Sequence, residues 1–445
     1  MIVYIPDSFL PERRYIIDCL LGEFLGLDFE MRITGDPDHY RIIVTEGKEL
    51  LIKDAFFSMF NEPDGYLRRS NIPDKVERIK ESFIGFYDVP VLFGEKGIYE
   101  SENKLICNAD FFASAFFMLT RWEEYVTQER DFHNRFPGYM ALSVRHNFHD
   151  RPVVDEYTEI IWSLLCRAGY KGKRKSREYK IVPTHDVDRL IYWDRKTRKS
   201  VLKNISGDLF IRRNPAIAMR RGLSFCRFIL TNSNDPCLRF EYFMNLAEMR
   251  GIKANFYFIS GHQSSYDPEI YVNTSLFKNI ISKIKERNHI IGIHPSYNSY
   301  INPSLLSSEL KELKTASNIE IWSGRQHYLR FESPLTWKLL DECQLKRDSS
   351  MYFSGYPGFR CGTCHEFPVF DIIERKALKL KEMPLLLMDT CLYKLKHDKA
   401  AETIRKIKAE VKKFNGEFVF LWHNCMNLNV QSQEYNRVFE EEFYE

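Results

Sequence analysis

Ionisable side chains follow three apolar, strand-like segments of this sequence. They are Asp186 and Asp188 after 179–183, His294 after 289–293, and His423 after 418–422. Asp186 and Asp188 stand two residues apart on an extended segment, so they project to the same side and can share one cation or divide the roles of base and ligand. Neutral imidazole nitrogen is a good Zn²⁺ ligand. Each signal is weak alone, but three strands that all end in an ionisable group arise by accident much more rarely than any one of them, so together they indicate a functional site.

Such a site requires elements that bring the strand ends to one edge. Strands are predicted at 179–183, 253–259, 289–293, 319–323, 345–348, 385–389 and 418–422. Helices are predicted at 240–249, 276–287, 305–315, 336–343 and 400–414. Strands that alternate with helices favour a mostly parallel sheet, either a β/α barrel or an open doubly wound sheet. In both architectures ligands bind at the carboxyl ends of the strands.

The sequence predicts two domains joined by a linker. A length of 445 residues favours two or three domains. Residues 1–170 alternate short apolar runs with helical patterns and carry no chemical motif, so they predict a small α/β domain of unknown role. The polar, basic segment 171–180 is typical of a linker, and 181–445 would form the second domain.

Composition excludes several classes of protein. The formal net charge of +3 is too small to indicate nucleic-acid binding. The N-terminus has no basic region followed by an apolar core, and no apolar stretch approaches the length that spans a bilayer. The ten cysteines are scattered through a long chain, which favours reduced thiols over a disulfide framework. We therefore expect a cytoplasmic protein.

The order of these motifs resembles a known family. Thr-x-Asp-x-Asp, Gly-x-His, an arginine with a downstream proline, Asp-Ser and apolar-Trp-His follow one another as in the polysaccharide deacetylases, carbohydrate esterase family 4. The resemblance covers about 175–445 and extends to the two-domain bacterial members that have a long insertion after the first strand. It implies a distorted seven-stranded β/α barrel, a bound divalent metal, most commonly zinc, and hydrolysis of acetyl groups on sugars.

The resemblance also implies the metal ligands. Asp188 and His294 fall where two ligands of the family stand. The family has a second histidine four residues further on, and this chain has Asn298 there. An amide oxygen is a weaker, uncharged ligand than imidazole, so the departure predicts weaker binding, a harder ion, another ligand, or loss of the metal. His327 is predicted to be structural or solvent-facing, although it is near enough to the arginine motif to line the pocket.

The catalytic roles follow in the same way. By resemblance, Asp186 is the general base, Asp348 fixes the final histidine, and His423 is the general acid. Arg325 is the predicted partner that orients the base, and Arg330 is its rival because a proline follows it at 334. An amide needs an activated water, a stabilised oxyanion and a proton donor at nitrogen, which accounts for these residue types.

Four residues are predicted to contact the sugar. They are Tyr297, Arg330, Arg360 and Trp422. Arg360 lies in a glycine-containing loop together with Cys361 and Cys364, whose Cys-x-x-Cys spacing has no second cysteine pair and no thioredoxin-like surroundings. We therefore interpret that segment as a loop over the site and not as a redox or zinc motif.

A basic insertion at 189–235 separates the first two strands. Its cations are interleaved with aromatic and aliphatic residues, so it can form basic amphipathic helices that cap the site or contact anionic lipid. A solvated helical face is the alternative. If the cations are functional, they predict a substrate linked to a phosphate carrier.

These features predict a metal-dependent enzyme that removes N-acetyl, or less favourably O-acetyl, groups from a sugar of a bacterial surface polysaccharide or its precursor. Two alternatives remain open at this stage. One is a sugar-binding protein on the same fold with impaired catalysis, which the asparagine at 298 favours. The other is a glycosyltransferase that uses Asp186 and Asp188 to hold the metal of a nucleotide sugar.

Overall fold

The structure is a computed structural model, and it describes residues 1–44, 48–80, 88–231, 235–269, 271–425 and 433–445. Residues 232–234 of the predicted basic insertion, and the side chain of Arg195, lie outside the described residues. The protein has a mixed α/β fold in which parallel strand pairs carry the candidate site.

The strands are, in chain order, β1 (Ile2–Pro6), β2 (Glu30–Thr34), β3 (His39–Ile43), β4 (Glu49–Lys53), β5 (Glu77–Ile79), β6 (Val89–Val91), β7 (Gly94–Glu100), β8 (Lys104–Ala109), β9 (Lys180–Val187), β10 (Asn255–Phe258), β11 (Ile290–Ile293), β12 (Ser323–Gly324), β13 (Arg347–Asp348), β14 (Phe367–Asp371), β15 (Lys376–Glu382), β16 (Leu387–Met388) and β17 (Glu417–Leu421).

The α-helices are α1 (Leu10–Ile17), α2 (Phe111–Thr120), α3 (Trp122–Val126), α4 (Leu142–Arg145), α5 (Val153–Arg167), α6 (Arg195–Ser206), α7 (Pro215–Thr231), α8 (Phe240–Glu248), α9 (Ser275–Glu286), α10 (Pro303–Ser317), α11 (Leu335–Glu342), α12 (Asp389–Leu392), α13 (His397–Lys413) and α14 (Gln433–Tyr444).

The chain forms two compact units that are not contiguous in sequence. Unit 1 comprises Met1–Lys180, Leu329–Leu386 and Ile407–Phe418. Unit 2 comprises Ile181–Tyr328, Leu387–Lys406 and Val419–Glu445. The first boundary falls at the predicted linker, but beyond residue 328 the chain alternates between the units, which differs from the predicted single domain 181–445.

Unit 1 contains a mixed sheet in the order β2-β1-β3-β4-β8-β7. Helix α2 is buried over its whole length, because its sequence FFASAFFMLT is apolar on every face. Asp110 begins this helix by accepting a hydrogen bond from the backbone N–H of Ala113 at 2.9 Å. The same unit contains the antiparallel pair β14 and β15, with β13 parallel to β15.

Unit 2 contains the strand order β12-β11-β10-β9-β17-β16. Strand β10 is parallel to both β9 and β11, and β11 is parallel to β12. Helix α9 buries Phe277, Ile280, Ile281 and Ile284, the i, i+3, i+4, i+7 spacing of an amphipathic crossover helix. Parallel strands place their carboxyl ends at one edge, which is where the polar residues follow.

The predicted seven-stranded barrel is not confirmed. Among the described strands of unit 2, the order is open, with β12 and β16 at different ends and no pairing between them. The predicted strand at 345–348 is present as β13, but it belongs to unit 1.

One pair of cysteines departs from the predicted reduced state. Cys237 and Cys425, both in unit 2, form a disulfide. Cys361, Cys364 and the other described cysteines are not in disulfides. A disulfide is more common outside the reducing cytosol, so it removes part of the basis for the cytoplasmic prediction. Within the described residues, the longest apolar helices are too short or too polar to cross a bilayer.

Candidate active site

The candidate site is formed at the carboxyl ends of the strands of unit 2. Its side chains are Asp186 and Asp188 at the end of β9, His294 after β11, Arg325 and His327 after β12, and His423 after β17. Because β9 to β12 are parallel, their last residues meet at one edge of the sheet. The strands themselves are apolar and buried, so the polar groups follow where the buried run ends.

The first component is a buried pair formed by Asp186 and Arg325. Arg325 Nη1 donates to Asp186 Oδ1 at 3.0 Å and to Thr184 Oγ1 at 2.8 Å. Neither Arg325 nor Asp186 is appreciably exposed, and the guanidinium lies over the ring of Tyr257. The guanidinium fixes one oxygen of the carboxylate, and the other, Oδ2, lies 3.8 Å from His294 Nε2 and so faces the site.

The second component is a group of three metal-type ligands. Asp188 Oδ1 lies 3.4 Å from His294 Nε2 and 3.7 Å from His327 Nε2. Ligand atoms about 2.0–2.1 Å from a tetrahedral zinc are themselves about 3.3 Å apart. Asp188 Oδ1 is shielded from solvent and has no hydrogen-bond partner in the part of the chain that the structure describes. The spacing and this unmatched oxygen both fit a cation between the three groups.

Hydrogen bonds to the far side of each ring fix the imidazole tautomers. His294 Nδ1 lies 2.6 Å from the carbonyl oxygen of Arg325, and His327 Nδ1 lies 3.2 Å from Asp267 Oδ1. Both partners accept, so Nδ1 carries the proton and Nε2 presents a lone pair towards Asp188. Without a cation or an added proton, a carboxylate and two lone pairs would face one another. The donor set therefore fits a divalent metal.

The charges of the site shift the acidities of its members. Burial alone would raise the pKa of Asp188, but the imidazoles of His294, His423 and His327 hold it well below its usual value. Burial would lower the pKa of His294, but the carboxylates of Asp186 and Asp188 raise it. Burial would raise the pKa of Asp267, but the hydrogen bond from His327 and those from backbone N–H groups lower it. Asp188 and Asp267 are thus anionic at neutral pH, and a metal ligand such as Asp188 must be in this form.

The third component is His423, held by Asp389. The Nδ1–H of His423 donates to Asp389 Oδ1 at 2.7 Å, and its backbone N–H donates to Oδ2 at 3.0 Å. Nε2 lies 4.0 Å from Asp188 Oδ2 and faces the metal group. Burial disfavours the imidazolium, but Asp389, with smaller contributions from Asp188 and Asp186, raises the pKa of His423 to about 10. This histidine is a proton donor at neutral pH.

Two residues that the resemblance placed in these roles do not have them in the structure. The third candidate ligand is His327 and not Asn298, because the asparagine lies exposed on the turn after His294. The carboxylate that holds His423 is Asp389 and not Asp348. Asp348 belongs to unit 1, where its Oδ1 accepts a hydrogen bond from Ser350 Oγ at 2.7 Å.

Arg330, the predicted alternative to Arg325, and Arg360, a predicted sugar contact, both form hydrogen bonds within unit 1. Arg330 is buried, and its Nε donates to the carbonyl oxygen of His133 at 2.8 Å. Arg360 is also buried, and its guanidinium forms a two-bond ion pair with Glu124. The prediction that Arg360 is available to a substrate oxygen is therefore wrong, because its donors already have partners.

Of the two aromatic residues predicted to contact the sugar, one lies in the core and the other lies beside the candidate metal ligands. Trp422 is 1% exposed and packs against Phe243, so it is a core residue and not a sugar contact. Tyr297 stacks on Tyr266 at 4.4 Å between ring centroids, and both lie next to Tyr328. Tyr328 contacts the ring of His327, so the three tyrosines form an aromatic wall beside the metal group.

The structure also adds residues that sequence reasoning missed. His327, Asp267 and Asp389 all belong to the candidate site, yet none of them was predicted from the sequence to be a ligand or a catalytic group. A histidine two residues after Arg325 was a usable signal, because alternate residues on an extended segment point to the same side. Asp389 ends a predicted strand, which is the position where the other functional groups were sought. Asp267 lies in a loop with no such signal.

A second cluster with metal-type ligands lies in unit 1, formed by Asp155, Cys364 and His365. Asp155 accepts hydrogen bonds from Thr363 Oγ1 at 2.8 Å and from the backbone N–H of Cys364 at 2.9 Å, and the Cys364 thiol donates to it at 3.2 Å. Arg177 Nη1 donates to His365 Nδ1 at 3.1 Å. These groups satisfy one another, and burial raises the pKa of the Cys364 thiol, so the donor set does not fit a metal.

Comparisons with known proteins add little to this geometry. Residues 1–170 match a family of unknown function (DUF7033). No curated protein sequence matches the chain. Among solved structures, a Mycobacterium smegmatis protein provisionally described as a polysaccharide deacetylase is similar, with a TM-score of 0.37 and 14% identity over 60% of this chain and 83% of that chain. A similarity this low assigns no role to any residue.

Proposed function

We propose that this protein is a metal-dependent deacetylase that hydrolyses the N-acetyl group of a sugar. The observation that carries the proposal is the convergence, at one sheet edge, of three components: a ligand group (Asp188, His294, His327), a buried carboxylate held by an arginine, and an imidazolium held by a carboxylate. Hydrolysis of an amide needs all three.

Asp188, His294 and His327 would hold a divalent cation, which would supply Lewis acidity to an acetyl carbonyl and to a water molecule. The side chain of Asp188 is 39% exposed, so a substrate can reach this group from solvent. The aromatic wall of Tyr266, Tyr297 and Tyr328 offers an apolar surface beside His327 for a sugar ring.

The chain's own residues move the protons. Asp186, held through Oδ1 by Arg325, accepts a proton from the attacking water, whose oxygen bonds to the acetyl carbon. His423 donates its Nε2 proton to the amide nitrogen as the carbon–nitrogen bond breaks. The products are the free amino sugar and acetic acid, which ionises to acetate in water. Transfer of the proton from Asp186 to His423 through solvent returns both residues to their starting states.

The experiment is to measure metal content and acetate release with acetylated amino-sugar oligomers. The purified protein, supplied with zinc or another divalent ion, should release acetate. Asp186→Asn should reduce the rate by about 100- to 10,000-fold, because general base catalysis contributes on that order. The matched control is Asp398→Asn, on the exposed face of α13, which should leave the rate unchanged. No acetate with any divalent metal would contradict the proposal.

The two alternatives lose support. The sugar-binding alternative depended on the asparagine at 298, and a third ligand is available in His327. The glycosyltransferase alternative gives no role to His423, which lies on Asp389 beside the metal group. His423→Ala should abolish most of the acetate release, whereas a glycosyltransferase would keep its activity in this variant.

A further inference from the structure

The basic insertion of unit 2 folds as a helical hairpin, α6 and α7, which spans residues 195–231 and turns at Gly207–Ile211. We call these residues the hairpin. It has its own small core, in which Val201 packs with Trp193 and with the partly buried Ile205, Phe225 and Phe228. The inner faces of the two helices therefore already have partners within the hairpin.

The outer surface of the hairpin is apolar to an unusual degree. At the turn, Phe210 is 78% exposed and Ile211 is 82% exposed. Along α7, Met219, Leu223 and Leu230 are 63%, 51% and 83% exposed. These three stand at i, i+4 and i+11, so they form one stripe along the helix. A folded monomer rarely exposes a continuous apolar surface of this kind without a partner.

Cations surround this apolar surface. The hairpin contains ten Lys or Arg residues and a single acid, Asp208. Asp208 is buried, and it is paired with Arg212 at 2.6 Å and Arg221 at 2.7 Å. Lys196, Lys199 and Lys203 are exposed on α6, and Arg213 is exposed at the turn. The outer surface is thus apolar and cationic with no exposed carboxylate, which complements a surface that is anionic above and apolar below.

We propose that the hairpin binds the surface of an anionic phospholipid bilayer. Phe210 and Ile211 insert between the lipid headgroups, the stripe on α7 lies along the boundary with the acyl chains, and the lysines of α6 contact the phosphates. A protein partner with a complementary groove would require carboxylates at matched positions, whereas a lipid surface requires only anionic charge over an apolar layer. The hairpin presents exposed cations beside exposed apolar side chains, which fits the lipid surface.

The base of the hairpin adjoins the candidate active site. Asp235 accepts hydrogen bonds from the backbone N–H groups of Tyr192 and Trp193, at 2.8 and 3.0 Å. The side-chain amide of Asn424, next to His423, donates to the carbonyl oxygens of Arg189 and Cys237. Membrane binding would therefore hold the candidate site close to the lipid surface, where a sugar on a lipid carrier is presented.

The test is co-sedimentation of the full chain with vesicles of phosphatidylcholine alone or mixed with phosphatidylglycerol. We expect binding to the mixed vesicles and at least about tenfold weaker binding to the neutral ones, since each surface cation contributes roughly fivefold. Phe210→Ser with Ile211→Ser should reduce binding by about tenfold or more. The matched control is Met59→Ser with Phe132→Ser, which are 65% and 84% exposed in unit 1 and should leave binding unchanged.

A charge series separates the electrostatic part. Changing Lys196, Lys199 and Lys203 together to Gln should weaken binding to anionic vesicles by about tenfold or more. The same change at Lys278, Lys285 and Lys311, which are exposed on α9 and α10, should not. Thermal melting of each variant checks that it folds. Absence of vesicle binding by the unmodified protein, or equal loss in both lysine sets, would overturn the proposal.

Binding to a second copy of the chain is the remaining outcome. If the unmodified protein forms a dimer that Phe210→Ser with Ile211→Ser dissociates, and no vesicles are bound, the hairpin is a dimer interface and the lipid proposal is wrong. None of these measurements uses catalytic activity, so they stand or fall independently of the proposed deacetylase reaction.

Discussion

Two clusters in this protein contain the side chains that bind metals, and they differ in how their hydrogen bonds are arranged. In unit 2, each histidine donates through Nδ1 to an oxygen behind it, and its Nε2 is turned towards Asp188. In unit 1, Asp155 accepts bonds from its own neighbours, and His365 accepts a bond from Arg177. Residue type and proximity are alike in the two clusters. The partners of the atoms decide which one can hold a cation.

This difference shows why a composition of acids, thiols and histidines is a weak indication of a metal site. A ligand must offer a lone pair that no proton or donor already occupies. The unit 2 cluster has an unmatched carboxylate oxygen, and the unit 1 cluster has a thiol donor on its carboxylate. The following predictions test the contrast, from the largest expected effect to the smallest.

The largest effect is expected from His327→Ala. Removing one of three ligands should reduce bound metal from about one per chain to nearly none and lower acetate release by about 1,000-fold, because the cation supplies several kcal/mol of transition-state stabilisation. Metal content by mass spectrometry and acetate release are the two measurements. The paired variant is His365→Ala in the unit 1 cluster, which should keep its metal. Equal loss of metal in both variants would remove the distinction between the clusters.

A smaller effect, with a characteristic pH dependence, is expected from Asp389→Asn. The charge of Asp389 raises the pKa of His423 to about 10, and the proton donor is active below that pKa and lost as the pH rises through it. The amide keeps a hydrogen-bond acceptor but removes the charge, so the alkaline limb of the rate profile should move to lower pH. At pH 8 the rate should fall by about 100-fold. Metal content should be unchanged, and an unshifted alkaline limb would contradict the role of His423.

Unit 1 should respond to substitution through stability alone. Burial raises the pKa of Asp155 to about 7, above its usual value, so the stability that this group contributes is present at low pH and is lost as the pH rises through 7. Asp155→Asn leaves one or more buried donors without a good acceptor and should cost about 1–3 kcal/mol. It should also flatten the decrease in melting temperature between about pH 4 and 7. If this variant lost bound metal, the cation would be held by the cluster of unit 1, which would contradict the assignment of the metal site to unit 2.

The smallest effect is expected from Asn298→Ala. The asparagine lies exposed on the turn after His294, so metal content and acetate release should change by less than about twofold. Asn298→His is the sharper comparison, since it introduces the ligand type that was expected at this position. If the introduced histidine increases metal affinity by tenfold or more, Asn298 faces the cation after all.

Sequence patterns predicted where the strands of the candidate site lie, but not the order in which strands pair in the sheet. The strands that end in Asp186, His294 and His423 were predicted because buried parallel strands are continuous apolar runs that stop at polar residues. Sheet order was not predictable in the same way, since it depends on contacts between segments far apart in sequence. The alternation of the chain between the two units after residue 328 has no local signature.

The errors at the site have the same origin. Motif order identified which strand ends carry chemistry, but it assigned Asp348 where the structure has Asp389, because two Asp residues both end predicted strands and only the fold distinguishes them. Asn298 was placed by its spacing from His294. His327 was predicted to be structural or solvent-facing, near enough to Arg325 to line the pocket but not a ligand, because a spacing rule along one segment does not include a group from the neighbouring strand.

Arg325 connects the two halves of the proposed chemistry through different parts of one residue. Its guanidinium holds Asp186, and its backbone carbonyl orients His294. Its own N–H donates to the carbonyl of Ile293 at 3.1 Å, so the position is also tied to the strand that presents the histidine. Any replacement of the side chain would therefore disturb the base while the imidazole kept its orientation, since every amino acid supplies the same carbonyl. A substitution at this position can therefore change how Asp186 accepts a proton and still leave His294 in the orientation that a metal ligand needs.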